Sequence, residues 1–567
     1  MRPRILLAAS LLALGGTAAP AQPFAACATL DTCLARLGEE MGDEQRAAFQ
    51  ARLRSFGAPA ADALVARLSG ADAKAADAAG LALAQFERID PRHLPALIAA
   101  HRAGNGWMPR AIAATAADEA LRHLQASFLR NPDFSNNTQV HFALPRFGER
   151  LRPFVEEQAE RCRAGGDSSL CGGLIALIGE FRAATPSWAP DALAAIAASP
   201  NEWVRRMGED ALIQRRLPAG LPLLKARLER LGVPGARDES AVHTALAQLG
   251  AYGPAGADAG PLVAALLESD DGETRAQAAL TLARIGSSAG AERLIALEPG
   301  FQDDWLIAYN AVEALGRNRV AKAKPLLQRT ARGHWHRAVR ANAGRALASL
   351  AGGTFEAPGA PPGPSRFLLS ELRYGDDAKP ARFCGADRVD FVEHVAQDPP
   401  AQVAWPPRGV RRLSPVALPA PRTDPLRASI PNGRGGGRIP FRLDMPAGTL
   451  FGLDQGEFGG GLVLARTGNE AQVLAEGNPR FAFRMGERLY VAQGLSHIAI
   501  DRGSILVLEG SSPRIVRRIR LPAEPDSFFV TPKRVMIVRT SRGDVAIRAD
   551  GRLAKPENVA PCRESTK

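Results

Sequence analysis

The sequence predicts a multidomain α + β protein: an N-terminal α-solenoid of repeated helix pairs, then an all-β domain that is either propeller-like or an open sheet or sandwich. Three observations predict it. Apolar residues recur at helical spacing in units of about 34 residues. A Pro/Gly-rich stretch, "AGGTFEAPGAPPGPS" at 351–365, then interrupts the pattern. Beyond it, β-branched and aromatic runs alternate with turn residues and repeat at an offset of 47.

The helical repeat is legible in five stretches. Val204-Arg205 leads to Gly208, Ala211 and Leu212; Asp238-Glu239 leads to Val242, Ala245, Leu246 and Leu249. Thr274-Arg275 leads to Ala278, Ala279, Leu282 and Ile285; Ile307-Ala308 leads to Ala311, Val312 and Leu315; Val339-Arg340 leads to Ala343, Ala346 and Leu347. Their starts are separated by 34, 36, 33 and 32 residues. A second apolar helix follows most of them, often opened by proline, as at Pro222, Pro261 and Pro325. Proline is tolerated there because the first-turn N–H has no intrahelical partner. Each pair is too small to bury its apolar face alone, so the units must stack.

"TRAQAALTLARIG" and "VRANAGRALASLAG" carry a resemblance to HEAT repeats of the phycobilisome-lyase type. It is clear over 200–352 and extends more weakly over 29–199. The resemblance implies an α-solenoid that binds a macromolecular partner in its groove; it does not imply bilin-lyase activity.

In the last third, "FAFRMGERLYVAQGLSHIAIDRG" from 481 aligns without a gap on "FFVTPKRVMIVRTSRGDVAIRAD" from 528. Moving back another 47 residues from 498–503 reaches Phe451 to Gly456. Three such units resemble β-propeller blades. The domain has room for four or five at most, so an open or sandwich-like sheet is the alternative. The expected boundaries are a signal peptide at 1–21, the helical region at 29–352, a linker at 353–365, the β domain at 366–562 and a tail at 563–567.

Export is expected from the N-terminus. Arg2 and Arg4 precede an apolar run from Ile5 to Leu14 and the small-residue site Ala19-Pro20-Ala21. A run of ten residues is too short for a membrane span. The six cysteines all follow this segment, and an even number suits an oxidising compartment. Local pairing gives Cys27–Cys33, Cys162–Cys171 and Cys384–Cys562, one of 15 connectivities. A rival reading puts a lipid on Cys27, after Phe24-Ala25-Ala26.

The net charge is +12, and after residue 365 there are 31 Lys/Arg against 22 Asp/Glu. Such an excess first suits a solvated, arginine-rich surface, and then an anionic partner such as an envelope polymer. Nucleic acid is not expected for an exported chain with few aromatics. Arg205, Arg275 and Arg340 recur at one repeat position, and Arg434 and Arg438 flank a triple glycine near Arg427 and Arg442. These five, Arg205, Arg275, Arg340, Arg434 and Arg438, are the candidate partner-binding residues.

No motif meets the spacing of a metal site or of a catalytic pair, so no cofactor, metal or catalytic residue is assigned. Gly286-Ser287-Ser288-Ala289-Gly290 matches G-x-S-x-G but follows a helix rather than a strand. His334-Trp335-His336 and Glu393-His394 lack partners in sequence. If an enzyme, the chain would use His497, Glu457 and Asp501. The glycines of "DQGEFGGGLVLAR" (454–466) read as a β-turn or bulge, since no helix follows to complete a phosphate cradle. The expected function is an exported interaction scaffold with a protein partner. The alternatives are a module for an anionic polymer, or less readily a hydrolase or lyase.

Overall fold

The structure, a computed structural model, describes residues 27–70, 72–181, 185–232, 238–355, 440–456, 459–466, 470–497, 500–531 and 535–555, with two short strands at 392–394 and 411–412. The expected signal peptide, most of the linker, Cys384, Cys562, Arg427, Arg434, Arg438 and Glu457 lie outside these residues. The chain is helical as far as Leu350 and β-rich beyond it. It divides into two compact units, 1–220 and 221–567. Among the described residues no helix is long and apolar enough to cross a membrane.

The first unit is a succession of short helices from Leu30–Leu34 to Glu202–Gln214. Its core combines aliphatic side chains, with Leu53, Leu64, Leu97, Ile112 and Leu124 all fully buried, and the aromatics Phe128 and Trp188. Asp72 caps the helix Ala73–Leu83 by accepting from the Lys74 and Ala75 amides, and Asn201 does the same for Glu202–Gln214. Cys27 pairs with Cys33 and Cys162 with Cys171, at Cα separations of 5.1 and 5.7 Å. The first pair occupies the sulfur that a lipid on Cys27 would need.

In the second unit the helices Glu239–Ala251, Gly272–Ile285, Trp305–Arg317 and Arg337–Leu350 stack in chain order. Their tie is a ladder of side-chain-to-carbonyl hydrogen bonds, each reaching back one unit. Thr281 Oγ1 donates to Leu246 O (3.0 Å), Asn310 Nδ2 to Ala276 O (2.9 Å), Asn342 Nδ2 to Tyr309 O (2.9 Å) and Ser349 Oγ to Gly316 O (3.0 Å). The sequence separations are 35, 34, 33 and 33, the same interval as the apolar pattern. Small residues permit the close approach: a Cβ on Gly316 would lie 2.6 Å from Ala346 Cβ.

The β-rich part holds β1 (Val392–His394) and β2 (Arg411–Arg412), then three antiparallel meanders. The first is β3 (Arg442–Met445), β4 (Gly448–Asp454), β5 (Gly460–Ala465) and β6 (Glu470–Glu476). The second is β7 (Pro479–Met485), β8 (Arg488–His497), β9 (Ile500–Glu509) and β10 (Arg514–Leu521). The third is β11 (Pro525–Val530), β12 (Met536–Thr540), β13 (Val545–Ile547) and β14 (Leu553–Ala554). β1 adds to β7, and β2 pairs parallel to β6; among the described residues no sheet closes on itself. The sheets of the first two meanders share a core of Phe441, Leu450, Leu462, Leu464, Val491 and Leu506.

The 47-residue ruler holds to within a residue between the second and third meanders, whose first strands start at 479 and 525. The aligned Phe481 and Phe528 even touch, with ring centroids 4.9 Å apart. It does not reach the first meander, which starts at 442. Residues 451–454 belong to a second strand, β4, whereas 500–503 belong to a third, β9. Asp and Gly recur both at strand ends and inside β9, so composition alone matched a turn (454–456) to a strand segment (501–503).

The glycine run of 459–461 opens β5 of the β4–β5 hairpin. Gly460 has φ +153, and a Cβ there would come within 2.3 Å of Leu453 O. Asp454, before the turn, is 10% exposed; it takes Arg480 at 2.7 Å, and Arg480 also pairs with Glu524. One arginine thus ties an end of each meander.

Candidate functional site

The loops that precede the repeat helices carry acids, and the β10 strand carries arginines. Four of the five repeat helices open on Asn or Asp caps: Asn201, Asp238, Asp271 and Asp304. The loop before Trp305–Arg317 grips the edge of β10. Asp303 Oδ1 accepts from Arg517 Nε (2.8 Å) and Nη2 (2.5 Å), and Asp303 O accepts from the Arg520 amide (2.7 Å). Asp304 caps its helix through the Leu306 and Ile307 amides and holds Arg520 Nε at 3.0 Å. Glu273 stands 3.8 Å from both Arg502 and Arg520. Trp305, 4% exposed, donates from Nε1 to Leu521 O at 3.3 Å and stacks on His336 with centroids 4.4 Å apart.

Beside this clasp lies a cleft of about 980 Å³. One wall comes from the helix-opening loops, with Asp270, Asp271 and Glu273; the other from the glycine-rich strand ends, with Gly477, Gln493 and Gly503. Eight carboxylate residues and four arginines line it. Several are already paired, as described above. Asp270 and Arg518 have no side-chain partner among the described residues, and both line the cleft. Burial and the neighbouring Arg520 charge lower the Arg518 pKa, while Asp271 opposes the shift. Gln493 is 6% exposed; its Nε2 donates to Ser504 Oγ (3.1 Å), and its Oε1 has no hydrogen-bond donor.

A histidine–carboxylate pair also faces the cleft. His243 Nε2 lies 3.0 Å from Asp271 Oδ2 and 2.9 Å from Thr274 Oγ1. Burial works against charging His243, but the hydrogen bond and charge of Asp271 outweigh it and raise its pKa. Burial would raise Asp271; the His243 and Thr274 hydrogen bonds instead hold it far below the usual carboxylate range. The pair is therefore an imidazolium–carboxylate contact over a wider pH range than free groups would give. Among the described residues no cluster of three or more His, Cys, Asp or Glu is suited to a metal.

Of the sequence-derived candidates among the described residues, only Arg275 lines the cleft. The repeat arginines share one local role. Arg205 Nη1 donates to Ser199 O (3.3 Å), Arg275 Nη1 to Ser269 O (2.6 Å) and Arg340 Nη1 to His334 O (2.7 Å), each six residues back. They brace the loop before their own helix, and only Arg275 also lines the cleft. Asp501 is held by the Glu524 amide at 2.9 Å and by Arg542 at 3.1 Å. His497 is exposed and pairs in register with Ile500, while Asp501 pairs with Ser496. Adjacent strand residues point to opposite faces, so the register separates His497 from Asp501. Ser287 sits in the loop after Gly272–Ile285, where its Oγ accepts from the Ala289 amide. His334 is fully buried, donating to Phe301 O at 2.8 Å and accepting from the His336 amide at 3.0 Å.

The clasp and cleft were missed. The available signal was charge: "FQDDW" (301–305) in a repeat loop and "RIVRRIR" (514–520) in a strand. Nothing in one sequence pairs segments about 200 residues apart.

No family model matches the chain, and no curated protein matches it. Among solved structures, an engineered protein studied by a structural genomics consortium (Target OR497) aligns at 16% identity and TM-score 0.29. It spans 57% of this chain and 98% of its own. A structure titled for a phosphorylation switch controlling the cadherin–beta-catenin interaction aligns at 14% identity and TM-score 0.25, over 57% of this chain and 83% of its own. Neither likeness is strong enough to carry an argument.

Proposed function

We propose that the chain is an exported scaffold whose HEAT-like helix pairs and associated β meanders hold a protein partner. The observation that carries this reading is the cleft of about 980 Å³ built from helix-opening loops and strand ends. The loops of its wall are braced by hydrogen bonds from Arg275 to Ser269 O and from the Arg520 amide to Asp303 O, as a preorganised binding surface requires. The ladder of bonds at 33–35-residue separations supports a repeat architecture of the HEAT type. The three four-stranded meanders are compatible with blade-like units in an open arrangement. Export is inferred from the charged, apolar and small-residue segment at 1–21 and agrees with two paired cysteine couples.

The basic excess of the last third is less available to an anionic polymer than its sequence suggests. Arg502, Arg517 and Arg520 face Glu273, Asp303 and Asp304. The test is a photo-cross-linking residue at Leu495 on the cleft rim, with a control at Glu157, in full-length protein expressed in an envelope-bearing host. A discrete, protease-sensitive adduct at Leu495 alone is expected. A protease-resistant adduct would favour the polymer reading, and no adduct at Leu495 would contradict the scaffold reading.

A further inference from the structure

We infer that the cleft selects a lysine- or arginine-bearing peptide segment, an inference that names the partner chemistry of the scaffold just proposed. Three independent features point the same way. Carboxylates outnumber guanidinium groups among the lining residues, eight to four. The local field is therefore negative although the whole chain carries +12. Asp270, exposed on the rim, is a carboxylate with no side-chain partner among the described residues. Gln493 Oε1 is a buried acceptor on the wall with no donor.

A buried acceptor without a donor has lost its water and gained nothing in return, so the site gains from any ligand that brings an N–H to it. A peptide amide supplies that donor, and an ammonium or guanidinium supplies the charge that Asp270 lacks. Arg518, also unpaired, supplies the donor that a peptide carbonyl or terminal carboxylate accepts. The opposing glycines Gly272, Gly477 and Gly503 bring main chain to the surface, which suits an extended segment. At Gly272 an added Cβ would lie 3.3 Å from Asp304 Oδ2 and 3.5 Å from Arg520 Nη2. The volume lies at the upper end of the roughly 300–1,000 Å³ typical of ligand sites. Among the described residues no Phe, Tyr or Trp lines the cleft, so stacked sugars or bases lack a broad platform there.

The test uses the full chain and two fluorescent peptides of equal length, one alternating Lys and Gly, the other Glu and Gly. Net charge alone favours the Glu peptide. The inference expects the Lys peptide to bind at least tenfold more tightly. It expects Asp270→Asn and Gln493→Leu each to weaken that binding about fivefold or more, while Glu157→Gln in the first unit changes nothing. Asp270→Asn alters an exposed side chain, so an unchanged urea midpoint separates lost binding from lost fold. Equal or tighter binding of the Glu peptide, or Lys-peptide binding indifferent to Asp270→Asn, would overturn it. If the Leu495 adduct forms while the Lys peptide fails, the scaffold reading stands and only the assigned chemistry falls.

Discussion

At the residue scale, single polar side chains decide the geometry. Asp304 caps a helix and pairs with Arg520, with side-chain exposures of 18% and 22%. Losing a cap costs about 1 kcal/mol, and stranding a largely buried charge adds to that. Asp304→Ala is therefore expected to lower stability by about 2–4 kcal/mol in urea denaturation; a loss below about 0.5 kcal/mol would contradict the role. His334 gives a pH prediction. Burial lowers its pKa to about 4, with the Phe301 and His336 backbone bonds opposing. The neutral ring is favoured in the fold, so its contribution is complete above the unfolded value near 6.5 and is lost as pH falls toward 4. By pH 5 the loss is about 2 kcal/mol. His243 has the opposite sign: its raised pKa gives stability that is present below 6.5 and lost as pH rises. Comparing wild type with His334→Gln isolates the first effect. The variant, though weaker at pH 7.5, should lose about 2 kcal/mol less on going to pH 5.

At the element scale, the helix pairs were legible because their code is local. Apolar spacing, prolines at helix starts and a repeated interval are all written within 34 residues. The strands were legible as strands, but their count per unit was not. Matching 451–456 to 498–503 paired the end of a second strand and its turn with the start of a third strand, because both carry an Asp-x-Gly. The disulfides of the first unit were likewise accessible, because both close short loops. The Cys162–Cys171 loop spans nine residues, for which chain entropy gives about 2.5 kcal/mol. Cys162→Ala with Cys171→Ala is expected to lose about 2 kcal/mol while leaving the helical circular-dichroism signal in place. Detection of four alkylatable thiols at Cys27, Cys33, Cys162 and Cys171 in exported, unreduced protein would contradict both pairs.

At the scale of the whole molecule, the arginine excess changes meaning. Read along the chain, it belongs to a basic β domain facing outward. In the structure Arg517 and Arg520 spend their charge on Asp303 and Asp304, and the last helix pairs belong to the same compact unit as the meanders. The sequence could not reveal this, because the partners are 214 and 216 residues apart and no local pattern links them. The candidate site suffers the same limit. Its loops and strand ends are individually ordinary, and only their meeting makes a cleft. Truncation after residue 352 is accordingly expected to expose Trp305 and the acids of its loop. The shortened chain should show a red-shifted tryptophan emission and earlier unfolding of the helices of the second unit.

The most direct test of the clasp is a charge exchange in the full chain. Asp303→Arg and Arg517→Asp should each lower the urea midpoint, and the double variant should recover most of the loss, because the pair is re-formed with its ends reversed. Losses in the double variant equal to the sum of the single ones would mean that the two residues do not hold the helices and strands together.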